Sequence, residues 1–352
     1  MDINAKLSKM IGPLLQWYDR HKRPLPWRTE PTPYHVWISE IMLQQTRIEA
    51  VIPYYERFLQ ELPDIKTLSE VSDDKLMKLW EGLGYYSRAR NLKKAAILIM
   101  KDYNGMLPQT AKELRMLPGI GDYTAGAIAS ISFGQPEPAV DGNVLRVIMR
   151  YLGSYDDISL QSTKKSVATK LGKIYPSGKD AQNLTQAIME LGESVCIPNG
   201  EAKCEHCPLC SACIAANEHL TESLPIKSPK KPRKQEQKTV FLLSCREKFA
   251  ICKRPENGLL AKLWEYPNTC GKLTEEETFT YLRSIGIEPT QITPCGDAVH
   301  IFTHIEWHMT GYAVECAYPA KNFDWKPKEE ILSDYAIPTA FRAYTQYMKQ
   351  NG

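Results

Sequence analysis

Apolar positions recur at helical spacing through the first two-thirds of the chain and at strand spacing in the last third. Residues 4–20 place Leu7, Ile11, Leu14, Leu15 and Tyr18 on one side of a helix, which stops at the basic, proline-bearing run RHKRPLPWR. PYHVWISEIMLQQTRIEAVIPYYERF is helical again, with Val36, Ile38, Ile41 and Met42 as core candidates and Gln45 and Thr46 ending the first helix. A Gly-rich turn in WEGLGYYSRARNLKKAAILIM leads into a helix striped by Leu92, Ala95, Ala96 and Ile99. Val144, Leu145, Ile148, Met149 and Leu152 form a further stripe, and helices continue over 155–195. Beyond Lys238 the period shortens. TVFLLSCREKFAICKRP reads as a β-hairpin, EEETFTYLRSIGI as a helix, and Ile305, Trp307 and Met309 alternate with Glu306, His308 and Thr310 as in a strand.

At 352 residues the chain exceeds one ordinary domain. IKSPKKPRKQEQK at 226–238 carries six basic residues, one acid and two prolines, and reads as a solvated linker between the two textures. The net charge is only +3, so a nucleic-acid surface has to be a local patch. The N-terminus lacks a signal-peptide core, and the longest aliphatic run, AAILIM, is too short to span a bilayer. A cytoplasmic protein is expected. Among ten cysteines in that compartment, a tight cluster suggests metal ligation and scattered ones free thiols.

LPGIGDYTAGAI places a glycine hairpin between two helical patterns. Pro118 pre-sets one turn dihedral, and Gly119 and Gly121 are expected to adopt positive φ and let a phosphate approach the backbone N–H groups. The helix that follows points its positive end at the same place, giving a phosphate anchor that reads no sequence. Twenty residues after Gly121 comes Asp141, a helix N-cap or a lone functional carboxylate. Glu40 lies among apolar neighbours. Periodicity alone makes it an exposed face residue, whereas a buried carboxyl there would have the raised pKa of a general acid. Gln186 and Glu190 share a helix face. Cys196, Cys204, Cys207 and Cys213 follow C-x7-C-x2-C-x5-C, with Cys210 in addition. Zinc and [4Fe–4S] both use four thiolates, and the spacing does not separate them.

LPGIGxYTAGAI followed by AVDGNVLRV, with SEIMLQQT, GLGYYSRARNL and TQAIMELG, resembles the MutY family of adenine glycosylases in the helix–hairpin–helix DNA glycosylase superfamily. The resemblance covers most of residues 20–215. It implies an all-α helix–hairpin–helix domain over 1–225, with a six-helix barrel at about 29–135 and a cluster subdomain built from 1–28 and 136–215. The linker 226–238 would then lead to an α+β, MutT-like (Nudix) domain over 239–352.

In site terms, the resemblance implies Glu40 as the acid that protonates adenine N7 and Asp141 as the anion facing the sugar, oriented by Tyr123 and Asn143. Arg28 would line the base pocket, Gln186 would contact the adenine edge, Thr46 would bind the substrate, and Gln45 and Tyr85 would fill the gap in the duplex. Arg88, Arg90 and Lys203 would suit phosphate contacts. Cys196, Cys204, Cys207 and Cys213 would hold a [4Fe–4S] cluster, although the family's first spacing is x6 and position 185, Thr here, is usually Asn. In the second domain Phe302, Thr303 and His304 correspond to the family's Phe-Ser-His loop, which reads 8-oxoguanine. The Nudix hydrolase box is missing, so this domain would recognise and not hydrolyse. The implied partner is duplex DNA with an A:8-oxoguanine or A:G mispair, met by a monomer with no membrane involvement. Where the related endonuclease III has a nucleophilic Lys this chain has Tyr123, which argues for a monofunctional glycosylase over a pyrimidine glycosylase–lyase. A non-catalytic damage binder would not need both Glu40 and Asp141.

Overall fold

The computed structural model describes residues 2–229 and 232–351, so Lys230 and Lys231 of the basic linker lie outside the described residues. The chain forms two compact units. One comprises Met1–Glu70 and Arg90–Pro229, the other Val71–Ala89 with Lys230–Gly352. The stretch Val71–Ala89, which the sequence reading puts in the helical domain, is thus grouped with the second unit.

The helices of the first two-thirds are α1 (Ile3–His21), α2 (Pro26–Thr29), α3 (Pro33–Leu43), α4 (Ile48–Glu61), α5 (Ile65–Glu70), α6 (Asp73–Leu79) and α7 (Ser87–Asp102). They continue as α8 (Ala111–Leu114), α9 (Asp122–Phe133), α10 (Gly142–Leu152), α11 (Gln161–Gly172), α12 (Lys179–Ser194) and α13 (Ile214–Asn217). The single helical stretch read from Pro33 to Phe58 is broken at Gln44–Arg47, where Gln45 takes a left-handed φ of 58°. In the first unit α1, α10, α11 and α12 close around Leu7, Leu14, Leu145, Ile148, Leu184 and Ile188. α12 also packs on α9, and α9 on α3, so one helix joins the bundle to the site-bearing pair.

α3 and α9 differ from the amphipathic α10. Every residue of α3 from Val36 to Met42 is buried, as is every residue of α9 from Thr124 to Ile131. A helix enclosed on all sides shows no polar stripe. Both starts are specified by sequence: the Thr32 hydroxyl accepts from the His35 N–H ahead of Pro33, and Gly121 caps α9.

The second unit holds a seven-stranded sheet with main order β3-β2-β1-β6-β5. Its strands are β1 (Lys234–Cys245), β2 (Lys248–Lys253), β3 (Trp264–Glu265), β4 (Asn268–Cys270), β5 (Pro289–Ile301), β6 (Ile305–Cys316) and β7 (Asp324–Pro327). α14 (Glu275–Ser284), α15 (Lys328–Asp334) and α16 (Arg342–Asn351) complete it. β1 alternates Val240 and Leu242 into one core, with Trp307, Phe341 and Tyr344, and Phe241 and Leu243 into another, with Leu282 and Val314. Both faces of the sheet are therefore covered.

Lys234–Lys238, read as linker, is strand. It runs parallel to Ile305–Met309, and Glu236 accepts a hydrogen bond from Trp307 Nε1 at 3.0 Å. Local charge gave the linker reading; a partner strand some seventy residues away (separation 71) overrides it. The acidic run Glu275–Glu277 is a helix start. Thr274 and Glu277 form a reciprocal capping box, and all three carboxylates stand in the first turn of α14, where the helix dipole favours them.

Candidate active site

The hairpin connects α8 to α9. Gly119 has φ +80°, and a Cβ there would lie 2.7 Å from Asn91 Cβ, so both the turn and the packing require glycine. Gly121 departs from expectation. Its φ is −91°, in the extended region, and it serves as the N-cap of α9 with open space where a side chain would be. The free N-terminal N–H groups of α9 remain available to an anion.

One turn into α9, the Tyr123 hydroxyl donates to Glu40 Oε2 at 2.8 Å. Glu40 projects from α3 and is only 7% exposed, which overturns the face residue that periodicity alone suggests. Burial pushes its carboxyl up to about 7; the Tyr123 hydrogen bond and Arg28 oppose the rise, and the Asp141 charge adds to it. Tyr123 is itself pushed far up, first by burial and then by Glu40 and Asp141.

Asp141 caps α10. Its Oδ1 accepts from Val144 N–H at 2.7 Å and its Oδ2 from Asn143 Nδ2 at 3.1 Å. Burial raises its pKa, while the Val144 N–H and Arg146 pull it back. The two readings of this residue thus coincide, because the cap is what aims the carboxylate. Asn143 is braced in turn by Arg146, whose Nη2 donates to Asn143 Oδ1 at 2.8 Å and to Gly192 O at 2.7 Å. Gly192 lets α12 come this close, since a Cβ there would stand 2.7 Å from Asn143 Cβ.

These groups line a cavity of about 140 Å³ bounded by α2, α3, α9, α12 and the head of α10. A space of that order holds one small aromatic molecule. Its far wall is polar. Arg28 donates from Nε to Gln186 Oε1 at 3.2 Å and from Nη2 to Glu190 Oε2 at 2.7 Å. Arg23 also donates to Glu190. The sequence reading paired Gln186 with Glu190 on one helix face but missed Arg23 and the role of Glu190. The only available signal was a buried-face carboxylate at helical spacing from Gln186. Thr46 borders the cavity, while Gln45 is exposed on its strained turn. Thr185 faces away from it, donating to Ser130 Oγ at 2.8 Å inside the core, so the change from Asn does not alter the wall.

In the second unit Phe302–Ile305 forms the tight tip of the β5–β6 hairpin, closed by Phe302 N–H to Ile305 O at 2.8 Å. Phe302 packs on Trp307 with ring centroids 4.8 Å apart, leaving Thr303 and His304 exposed. Tyr85, exposed with φ 47°, shares a 2.7 Å hydrogen bond between its hydroxyl and Thr303 Oγ1. Arg88 is not a surface phosphate contact. It is buried, donates to Leu83 O and Gly84 O, and lies under the Tyr85 ring at 5.6 Å.

Cys196, Cys207 and Cys213 pack against the α1–α10–α12 core. Burial raises the Cys207 thiol, and charge on Cys196, Cys213 or Cys204 raises it further. Arg150 Nη1 donates to Cys196 Sγ at 3.3 Å. Among the described residues no three His, Cys, Asp or Glu side chains converge as they would around a single metal ion. Among the described residues no helix is long and apolar enough to cross a membrane.

A glycine hairpin whose following helix carries Tyr123 into a cavity with Glu40 and Asp141 fits an HhH-GPD superfamily base excision DNA repair protein, and residues 38–177 match that family. Residues 239–347 match the NUDIX domain family. The chain is 36% identical over 317 residues to the adenine DNA glycosylase of Buchnera aphidicola subsp. Acyrthosiphon pisum, covering 88% of this chain and 87% of that one. It is 32% identical to the adenine DNA glycosylase of Homo sapiens, covering 97% and 74%. Among solved structures, a thermostable thymine-DNA glycosylase superposes with a TM-score of 0.55 at 28% identity, covering 61% of this chain and 98% of that one. The chain belongs to the adenine DNA glycosylase family.

Proposed function

We propose that the protein excises adenine mispaired with 8-oxoguanine or guanine from duplex DNA, by base flipping and hydrolysis of the N-glycosidic bond, and leaves an intact abasic site. The observation that carries this reading is the pair Glu40 and Asp141, one with its carboxyl pushed up to about 7 and one aimed by its cap, on a single cavity of ring size.

Breaking this bond needs a protonated purine and an anion beside an oxocarbenium-like sugar. The extruded adenine enters between Glu40 and the Arg28–Gln186 wall. Tyr123 occupies Glu40 Oε2, which leaves Oε1 to carry the proton toward N7. Asp141, held by Val144 N–H and Asn143, faces the developing charge at C1′, and water completes the exchange. Tyr85, Phe302, Thr303 and His304 form the polar-tipped element that would read the opposite base, and the N-terminus of α9 with Gly119 and Gly121 anchors a phosphate.

Among the described residues lining the cavity there is no lysine, and Tyr123 cannot form a Schiff base. In a single-turnover assay on a duplex with A opposite 8-oxoguanine, strand breakage is therefore expected only after alkali. A break before alkali would end the monofunctional reading, and tight binding without product would favour a damage binder.

We infer further that Cys196, Cys204, Cys207 and Cys213 hold a [4Fe–4S] cluster. Three of these cysteines pack against one core and all four are free thiols, the donor set such a cluster takes. The cluster would supply a rigid cross-link for the 196–213 loop, and base excision needs no electron from it. Cys213→Ser is expected to lose most of the iron and sulfide and to lower thermal stability. Cys210→Ser should keep both. Stoichiometric zinc in the native protein would decide for the alternative site.

A further inference from the structure

The polar wall of the cavity holds two guanidiniums against one carboxylate. Glu190 is 2% exposed and accepts from both Arg23 and Arg28, while Arg28 also bonds Gln186 and lies 5.5 Å over the Tyr18 ring. A buried carboxylate with two cationic partners is costly to strip of either. Arg28 is also the cation that most directly opposes a neutral Glu40. The groups facing Glu40 are Tyr123 from α9, Asp141 from the head of α10 and Arg28 from α2; Arg23, Glu190 and Glu193 complete the charged lining. Within this set Asp141 favours the neutral acid and the guanidiniums disfavour it.

We propose that Glu190 is a positioning residue that ties Arg23 and Arg28 to α12 and shields Glu40 from their charge, so that the pocket can hold a cationic purine-edge wall and a protonated acid together. The inference rests on Glu40 being the general acid. Without Glu190, two unneutralised guanidiniums would face the cavity, and Arg28 already acts on Glu40, the more strongly the lower the dielectric of the site. Arg28 would swing toward Glu40, ionise it and leave Gln186. Glu190 need not touch the base for this; it acts through Arg28.

The test is the pH dependence of single-turnover adenine excision from an A:8-oxoguanine duplex, with the full-length protein in wild-type, Glu40→Gln, Glu190→Gln, Arg23→Gln and Glu190→Gln/Arg23→Gln forms. Glu190→Gln is expected to move the midpoint of the high-pH limb down by about one unit, a roughly tenfold loss above the midpoint with a much smaller loss on the plateau. Arg23→Gln, at a partly exposed site, should move it up. The double variant, with the original charge balance, should return it near the wild-type position. A uniform loss of rate with an unmoved midpoint in both single variants would show that Glu190 only holds the pocket together and would overturn the proposal. A wild-type limb that Glu40→Gln leaves unchanged would instead remove the acid assignment, and this inference with it.

Discussion

Asp141→Asn is expected to abolish turnover while leaving the fold and DNA binding intact. Asn is as good an N-cap as Asp, so the amide can still accept from Val144 N–H and α10 keeps its start. What disappears is the negative charge beside the sugar. Losing one preorganised electrostatic partner of a transition state costs about 10²–10³-fold, and a full charge in a buried site should cost at least the upper figure. Affinity for the duplex should hold or rise, because the protein loses an anion next to a polyanion. Single-turnover rates, a binding titration at fixed salt and a melting curve measured together decide the matter. A variant that is slow because it melts early would make Asp141 a cap and nothing more. In the wild type, protonating the same carboxyl should slow excision as pH falls through its raised pKa, so the rate should also decline on the acid side.

The contiguous parts of the site were legible in the sequence. The hairpin and the capped Asp141 each lie within a few turns of chain, and local turn and cap chemistry writes them as letters. Glu40 was not legible from periodicity, because α3 is buried on every side and an enclosed helix gives no polar stripe to contradict. Its burial depends on α9, which lies eighty residues further along (Tyr123 to Glu40, separation 83). The partner of Arg28 was hidden for the same reason, since 162 positions separate it from Glu190. Arg88 shows the opposite failure. Two arginines after a Gly-rich turn look like phosphate ligands, yet Arg88 turns inward to satisfy the carbonyls of Leu83 and Gly84, which the turn would otherwise leave unmet. Lys234–Lys238 was misjudged because six basic residues in thirteen outweigh strand propensity until a parallel neighbour is known.

Glu40→Gln should be nearly inactive and, at high pH, more stable than the wild type. Glutamine can still hydrogen-bond to the base but has no proton to give, and a positioned general acid contributes about 10²–10⁴-fold. Wild-type excision should be highest just below about pH 7 and fall roughly tenfold per unit above it, with the slow residual rate of the variant flat across that high-pH range. The stability effect has the opposite sense. Glu40 holds its proton more tightly in the fold, at about 7, than in the unfolded chain, near 4.5. Its contribution is therefore fully present below the unfolded value and lost as pH rises through about 7, where a buried carboxylate must be ionised. The difference amounts to about 3 kcal/mol at most. The neutral amide escapes it, so the melting temperature of the variant minus that of the wild type should sit near zero at pH 4 and grow positive by pH 9. Taking the difference cancels every other titrating group. An equal offset at both pH values would mean that Glu40 is solvated and ordinary, and a solvated carboxylate cannot protonate adenine at neutral pH. The burial that makes Glu40 an acid is the same burial that weakens the fold above neutrality, so the two measurements must stand or fall together.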